Sequence, residues 1–196
     1  MRDSGFAVPG IVARDVVPEA PFSETDAGLV PAGPGWFVLN ARDGPWRRQE
    51  GRGQRVRFEG DVEFEQLGVS LYVLAPGESM GMYHWEADEE DFLVLAGEAL
   101  LIVEGEERPL RQWDFVHCPP KTEHAIIGSG DASCVVLAVG AREHQAGADW
   151  GGYTVDDAAL RHGAGVERET TDVDEAYRGF PEHEWTRYRE SWLPGG

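Results

Sequence analysis

A histidine and two carboxylates occur close together between residues 84 and 97, which read HWEADEEDFLVLAG. Side chains alternate between the two faces of a strand, so His84 and Glu86 point in the same direction. Glu90 opens the next predicted strand and shares its face with apolar residues of interior type. With a tight turn between the two strands, this hairpin directs His84, Glu86 and Glu90 toward a common space.

A second histidine follows a rigid proline turn. Residues 119 to 124 read PPKTEH and lead into an apolar stretch, so His124 begins a predicted strand. His124 is far from His84 in the sequence, but closure of a β-barrel can bring the two opposite each other. Two histidines and one carboxylate form the ligand set of mononuclear non-haem iron sites. His84, Glu90 and His124 are therefore candidate metal ligands; the alternative is that the two histidines are hydrogen-bonded core residues with no metal.

The role of Glu86 stays open between three alternatives. It is a fourth metal ligand, a general acid or base beside the metal, or a carboxylate turned to solvent. Its place on the same strand face as His84 favours the first two roles, with a narrow preference for coordination.

Other reactive side chains near these residues are interpreted as structural. Cys118 and Cys134 are expected to be small buried groups, and His117 is expected not to bind the metal. The acids Asp88, Glu89 and Asp91 are expected to be solvated turn residues, and Tyr83 and Trp85 to lie outside the barrel cavity. Tyr72 either lines the pocket or fills the core. No cluster of arginines lies beside the two motifs to suggest a grip for phosphate.

The predicted elements that position these residues are short strands joined by turns. No helical pattern interrupts them. This arrangement predicts an all-β sandwich or barrel. The predicted strands are residues 36–39, 56–59, 68–74, 92–95, 99–103, 113–117 and 133–139.

The two ends of the chain differ from this middle part. Residues 1–35 are rich in proline and glycine and are predicted to form an extended arm with one or two short strands. Residues 141–196 form a C-terminal extension with short helices, of which one is capped by Thr154 and one spans residues 172–177. The aromatic residues Trp185, Tyr188 and Trp192 predict that the tail packs on the barrel or on a neighbouring subunit.

The two motifs resemble those of the cupin superfamily. The first has Pro76-Gly77, His84-x-Glu86, Glu90 and Gly97. The second has Trp113-Asp114, Pro119-Pro120-Lys121 and His124. They occur in the family's order, within residues 36–140, and imply an antiparallel cupin-type β-barrel, or jelly roll, over that range.

This chain departs from the family pattern in three places. Glu86 stands where the family usually has a second histidine, and Lys121 replaces a glycine, so that turn must accommodate a side chain. The spacing from Gly77 to His84 is one residue longer than usual.

The resemblance implies a divalent transition metal bound by His84, Glu90 and His124. The oxygen and nitrogen donors of this set favour iron or manganese, with zinc or nickel possible. It predicts a metal-dependent enzyme for a small polar metabolite, with dioxygenase- or isomerase-like chemistry. The alternative is a non-catalytic cupin that binds or senses a small molecule. Substrate turnover, or a ligand-induced thermal shift without turnover, distinguishes the two. The resemblance also implies a homodimer.

The composition narrows the classes of partner. The chain has 17 basic and 36 acidic residues and a net charge of −19, which disfavours nucleic acid and anionic membranes as partners. Two cysteines are too few for a secreted disulfide framework. The N-terminus lacks the features of a signal peptide. These properties predict a cytoplasmic protein.

Overall fold

A computed structural model describes residues 16–145, 147 and 149–194 of the chain. The first fifteen residues of the predicted N-terminal arm lie outside the described residues. No helix within the described ranges has the length and apolar character needed to cross a membrane.

The described chain forms fourteen strands and two short helices. In chain order they are β1 (Phe22–Thr25), β2 (Gly28–Pro31), β3 (Trp46–Gln49), β4 (Gly53–Arg57), β5 (Leu67–Leu74), β6 (His84–Glu86), β7 (Glu90–Ala96), β8 (Glu98–Val103), β9 (Glu106–Arg111), β10 (Phe115–Cys118), β11 (His124–Ser129), β12 (Cys134–Ala141), β13 (Gly151–Tyr153), α1 (Asp157–Arg161), α2 (Val173–Ala176) and β14 (Glu184–Thr186).

Two antiparallel sheets form the barrel. One has the order β10-β7-β12-β5-β4-β3-β14, and the other has the order β13-β6-β11-β8-β9. The chain crosses repeatedly from one sheet to the other between β5 and β12, as in a jelly roll. Leu74, Phe92 and Val136 from the first sheet pack against Leu101 and Ile126 from the second. The predicted all-β antiparallel barrel is confirmed.

The outer faces of both sheets are covered by the C-terminal extension. On the five-stranded sheet, Tyr83 and Ile102 pack against Ala158 and Ala159 of α1. On the seven-stranded sheet, Tyr188, Trp192 and Leu193 pack around the fully buried Trp46. The tail therefore packs on the barrel, as its aromatic residues predicted, although Trp185 is 57% exposed.

The C-terminal extension also completes both sheets at their edges. β13 pairs with β6, and β14 pairs with β3. The two short helices are present as predicted, but the predicted cap of the first is wrong. Asp156, not Thr154, caps α1, because its carboxylate accepts a hydrogen bond from the Ala159 amide at 2.7 Å.

The N-terminal arm carries a hairpin formed by β1 and β2. The strand predicted at residues 36–39 is absent, and only Trp36 forms an isolated bridge, with Glu19. Phe37 packs against the rings of Phe22 and Phe64, at 5.9 and 6.2 Å, while Val38 is 81% exposed. This apolar run is therefore held by side-chain packing and not by pairing in a sheet.

The pairing of β13 with β6 requires glycine at position 151. A Cβ atom on Gly151 would collide with the carbonyl oxygen of Trp85 and approach the Glu86 Cα to 3.1 Å. Backbone atoms in a paired strand have little room to move, so a side chain there would push the two strands apart.

We therefore predict that Gly151→Ala lowers the free energy of unfolding by about 1–3 kcal/mol, the usual cost of overpacking. Gly179 is a matched control, because no heavy atom lies within 4 Å of its added Cβ. Gly179→Ala should change stability by less than about 0.5 kcal/mol. Chemical denaturation of both variants measures this difference, and equal stabilities would contradict the tight approach of β13 to β6.

Candidate metal centre

The two predicted histidine ligands face each other across one strand pair. β6 and β11 are antiparallel, and their register places His84 directly opposite His124. Directly opposed residues in antiparallel strands project to the same side of the sheet. The two imidazole rings accordingly lie with their centroids 4.9 Å apart.

Backbone carbonyls fix the orientation of both rings. His84 Nδ1 lies 2.7 Å from the Met82 carbonyl oxygen, and His124 Nδ1 lies 3.0 Å from that of Thr122. A carbonyl oxygen only accepts hydrogen bonds, so each Nδ1 carries the proton. In the neutral ring, Nε2 then presents a lone pair, which is the arrangement that orients histidine metal ligands.

Glu90 completes a group of three donors. It begins β7, and its Oε2 lies 3.2 Å from His124 Nε2 and 3.9 Å from His84 Nε2. One donor atom from each of His84, Glu90 and His124 lies within 4.8 Å of the other two. A single ion can be reached by all three side chains.

Glu90 reaches the histidines from the opposite sheet, so the predicted hairpin between β6 and β7 is wrong. β6 pairs with β11 and β13, whereas β7 pairs with β10 and β12. The turn after Glu86 passes between the two sheets instead of folding one strand onto the other. His84, Glu86 and Glu90 nevertheless line one cavity, because the two sheets face each other.

Two of the three donor atoms are buried without a hydrogen-bond partner. Glu90 Oε2 and His124 Nε2 are both inaccessible to solvent and make no well-formed hydrogen bond within the described residues. Leaving such atoms unpaired costs about 1–3 kcal/mol each. A divalent cation would satisfy both lone pairs at once, so these residues fit a metal ion.

Without a metal, the Glu90 carboxylate favours the protonated form of the neighbouring His124 ring, and a bound cation would take the place of the proton on Nε2. Burial raises the pKa of Glu90, but the interactions with His124 and His84 outweigh burial and hold the pKa below its ordinary value. Burial lowers the pKa of His124, while Cys118 and Glu90 raise it, and the net result is a pKa of about 10. Glu90 is thus kept as the charged form that binds cations.

Glu86 lies beside the three donors but outside their group. Its Oε1 is 3.5 Å from His84 Nε2, and its side chain is 31% exposed. It lines the same cavity, of about 190 Å³, as His84, Glu90 and His124. The prediction that Glu86 shares a face with His84 agrees with this placement, and its two predicted roles, fourth ligand and acid–base group, both stay predictions.

The cavity wall includes residues that the sequence did not single out. Trp150 and Tyr153 come from the C-terminal extension, and their rings lie 6.5 and 5.8 Å from that of His84. Tyr177 and Arg55 also line the cavity, with Tyr72. These side chains reach the site through strand pairings remote in sequence, and only their aromatic character, in a segment expected to pack on the barrel, indicated a buried role.

Several residues interpreted as structural lie where that interpretation placed them. His117 is half exposed and pairs with Asp91 at 2.7 Å. Cys118 and Cys134 are buried free thiols. Tyr83 lies fully buried beneath α1, outside the barrel interior.

Asp88 is an exception, since its predicted exposure is wrong. Its side chain is 8% exposed, and its carboxylate accepts hydrogen bonds from the amide and Nδ1 of His144, at 2.8 and 2.7 Å. Burial raises the pKa of Asp88, but these interactions lower it below its ordinary value. A residue 56 positions away buries this acid, which local sequence could not indicate.

No arginine cluster adjoins the motifs in the sequence, but four arginines approach them in three dimensions. Arg55 lines the metal cavity, and three further arginines from β3 and the β3–β4 turn line the cavity next to it. All four precede the first motif by more than twenty residues and approach it only through pairing of β3, β4 and β5.

Comparison with known proteins agrees with the barrel. Residues 70–140 match the family model described as a cupin domain. A search of curated proteins found no match.

Several solved structures are similar to part of the chain. A sugar phosphate isomerase from a cupin superfamily, from Silicibacter pomeroyi, is 26% identical over 52% of this chain and 62% of its own, with a TM-score of 0.42. A cupin protein from Bacteroides fragilis is 22% identical over 54% of this chain and 86% of its own, with a TM-score of 0.42. The chain therefore aligns with less than two thirds of the isomerase.

Proposed function

We propose that the cupin domain formed by residues 70–140 holds one divalent transition-metal ion and acts as a metal-dependent enzyme on a small polar metabolite. The ligands are His84, Glu90 and His124. The observation that carries this proposal is the convergence of three donor atoms within 4.8 Å, two of them buried and unpartnered.

The donor set favours iron or manganese. Two imidazoles and one carboxylate are the ligands of mononuclear non-haem iron sites, and they leave coordination positions free for substrate. Both described cysteines are absent from the donor group, so the thiolate ligands that select a structural zinc site do not contribute. Zinc or nickel remains compatible with the same nitrogen and oxygen donors.

A bound divalent ion would supply a Lewis acid that stabilises negative charge developing on a substrate oxygen. The chain supplies the proton-transfer group. Glu86 lies 3.5 Å from His84 Nε2, lines the cavity and keeps partial access to solvent, so it can exchange protons with both substrate and water. Isomerase-like reactions need such a base.

The aromatic wall limits the access of water. Trp150 and Tyr153 cover one side of His84, and Phe92 packs against His124 with ring centroids 5.2 Å apart. Excluding water strengthens electrostatic interactions inside the cavity. A cavity of about 190 Å³ has room for the reacting part of a small metabolite only.

The proposed ligands predict the metal content of single variants. His84→Ala and His124→Ala should each lose stoichiometric metal, because each removes one of three donors. His117→Ala is the matched control, since His117 is half exposed and pairs with Asp91 outside the site. Elemental analysis by mass spectrometry of protein loaded with iron or manganese measures the outcome, and full metal content in both site variants would place the metal elsewhere.

Replacement of Glu86 by glutamine and replacement of Glu90 by glutamine should affect metal affinity differently, although each removes one negative charge. Glu90→Gln should weaken metal affinity by roughly 100-fold or more, because it removes a ligand. Glu86→Gln should leave the affinity within about threefold of wild type, because a proton-transfer group does not bind the ion. Competition with a chelator measures both affinities. If Glu86→Gln weakens binding as much as Glu90→Gln, Glu86 is a fourth ligand.

A further inference from the structure

A second cavity, of about 430 Å³, adjoins the metal cavity and is lined by four arginines. They are Arg47, Arg48, Arg52 and Arg55, all from β3, β4 and the turn between them. The two cavities share five lining residues, namely Arg55, Tyr72, Met80, Tyr153 and Tyr177. A molecule of metabolite size could therefore contact the arginines and the metal ligands together.

Strand register turns two of these arginines toward the barrel interior. Arg47 lies opposite Arg55, and Arg55 lies opposite Tyr72, which packs against the core between the sheets. Opposed residues in antiparallel strands share a face, and like charges placed this way repel each other. Burial, and then the charge of Arg55, lower the pKa of Arg47.

These arginines lack the carboxylate partners that other arginines of the chain have. Arg57 and Arg142 both pair with Glu59. Within the described ranges, no carboxylate lies within 4.0 Å of a nitrogen of the four cavity arginines, although Asp174 also lines the cavity. In a chain with 36 acidic and 17 basic residues, carboxylates are abundant, so this lack of pairing is specific to the cavity.

The partners that are present are neutral and aromatic. Arg55 Nη1 donates a hydrogen bond to the Tyr72 hydroxyl at 2.9 Å, and Arg52 Nη2 donates one to the Tyr177 hydroxyl at 3.1 Å. The Arg52 guanidinium also lies over the rings of Tyr177 and Phe180, at 4.6 and 5.0 Å. These contacts orient the guanidinium groups but leave their positive charge uncompensated.

Arg52 is the most buried of the four. It is 6% exposed, and its Nη1 has no hydrogen-bond partner among the described residues. A buried donor is normally paired, and a charged one especially so. The unpaired donor and the uncompensated charge both favour an anion in this cavity.

We propose that the arginine cavity binds a phosphate group of the substrate, so that the metabolite is a phosphorylated small molecule whose other end reaches the metal centre. Arginine suits this role because its planar guanidinium forms paired hydrogen bonds with phosphate oxygens. Several adjacent arginines suit a doubly charged phosphate better than they suit a singly charged carboxylate. The local positive charge also offsets the net charge of −19, which would otherwise repel an anionic substrate.

This inference rests on the proposed function for its statement about the substrate, but the phosphate site can be tested without the metal. Phosphate also binds metal ions, so the protein is first freed of metal with a chelator. Calorimetric titration with inorganic phosphate, at constant ionic strength, should then show one saturable site. Acetate under the same conditions should show none, and equal binding of acetate would contradict recognition of a dianion.

Variants locate the site. Arg47→Met and Arg55→Met should each weaken phosphate binding by roughly tenfold or more, since each removes charged hydrogen bonds. Arg108→Met is the control, because Arg108 is exposed, with 63% of its side chain accessible, and pairs with Glu106. It removes the same charge from the chain and should change the affinity less than twofold. Because Arg47 is only partly buried, its replacement should leave the fold intact, which circular dichroism verifies.

The same titration separates this inference from the proposed function. His84→Ala should bind phosphate as wild type does, because His84 does not line the arginine cavity. If wild type binds phosphate but no metal, the metal proposal fails and the phosphate site stands. If phosphate shows no saturable binding, or binds Arg47→Met and Arg55→Met as tightly as wild type, the phosphate site is overturned.

Discussion

Glu90 and His124 are polar groups buried against an apolar core, and the cost of burying them governs the rest of the site. Side chains of His124 and Glu90 are only 2% and 17% exposed. Desolvation of an ionised carboxylate is unfavourable unless a cation compensates for it. The His124 ring lies 3.2 Å away but forms no well-aligned hydrogen bond with it, so Glu90 Oε2 and His124 Nε2 both remain without hydrogen-bond partners. The centre is therefore built for a positive charge.

This constraint explains why the barrel needs both sheets and the C-terminal extension. His84 and His124 come from one sheet and Glu90 from the other, so the donors meet only when the sheets close on each other. β13 then covers the free edge of β6 and brings Trp150 and Tyr153 over His84. Beside this apolar wall, the arginines of β3 and β4 give the adjoining cavity the opposite electrostatic character to the acidic chain as a whole.

Local pattern predicted the barrel and the placement of the donor residues, because strand alternation and the spacing of the motifs are local properties. It failed where contacts join distant segments. The turn between Glu86 and Glu90 suggested a hairpin, and only the sheet topology shows that it crosses between sheets. Asp88 is buried by the distant His144, and Arg55 reaches the site through two strand pairings. Residues 36–39 have strand-forming side chains, but beyond the bridge between Trp36 and Glu19 they pair with no strand of the described chain.

Anomalous diffraction from crystals of the manganese- or iron-loaded protein locates the metal directly. We expect one strong anomalous peak at the metal absorption edge, about 2.0–2.3 Å from His84 Nε2, His124 Nε2 and a Glu90 carboxylate oxygen. A peak bound by other residues, such as Asp88 and His144, would contradict this ligand set. The absence of any peak from crystals of fully loaded protein would contradict it equally.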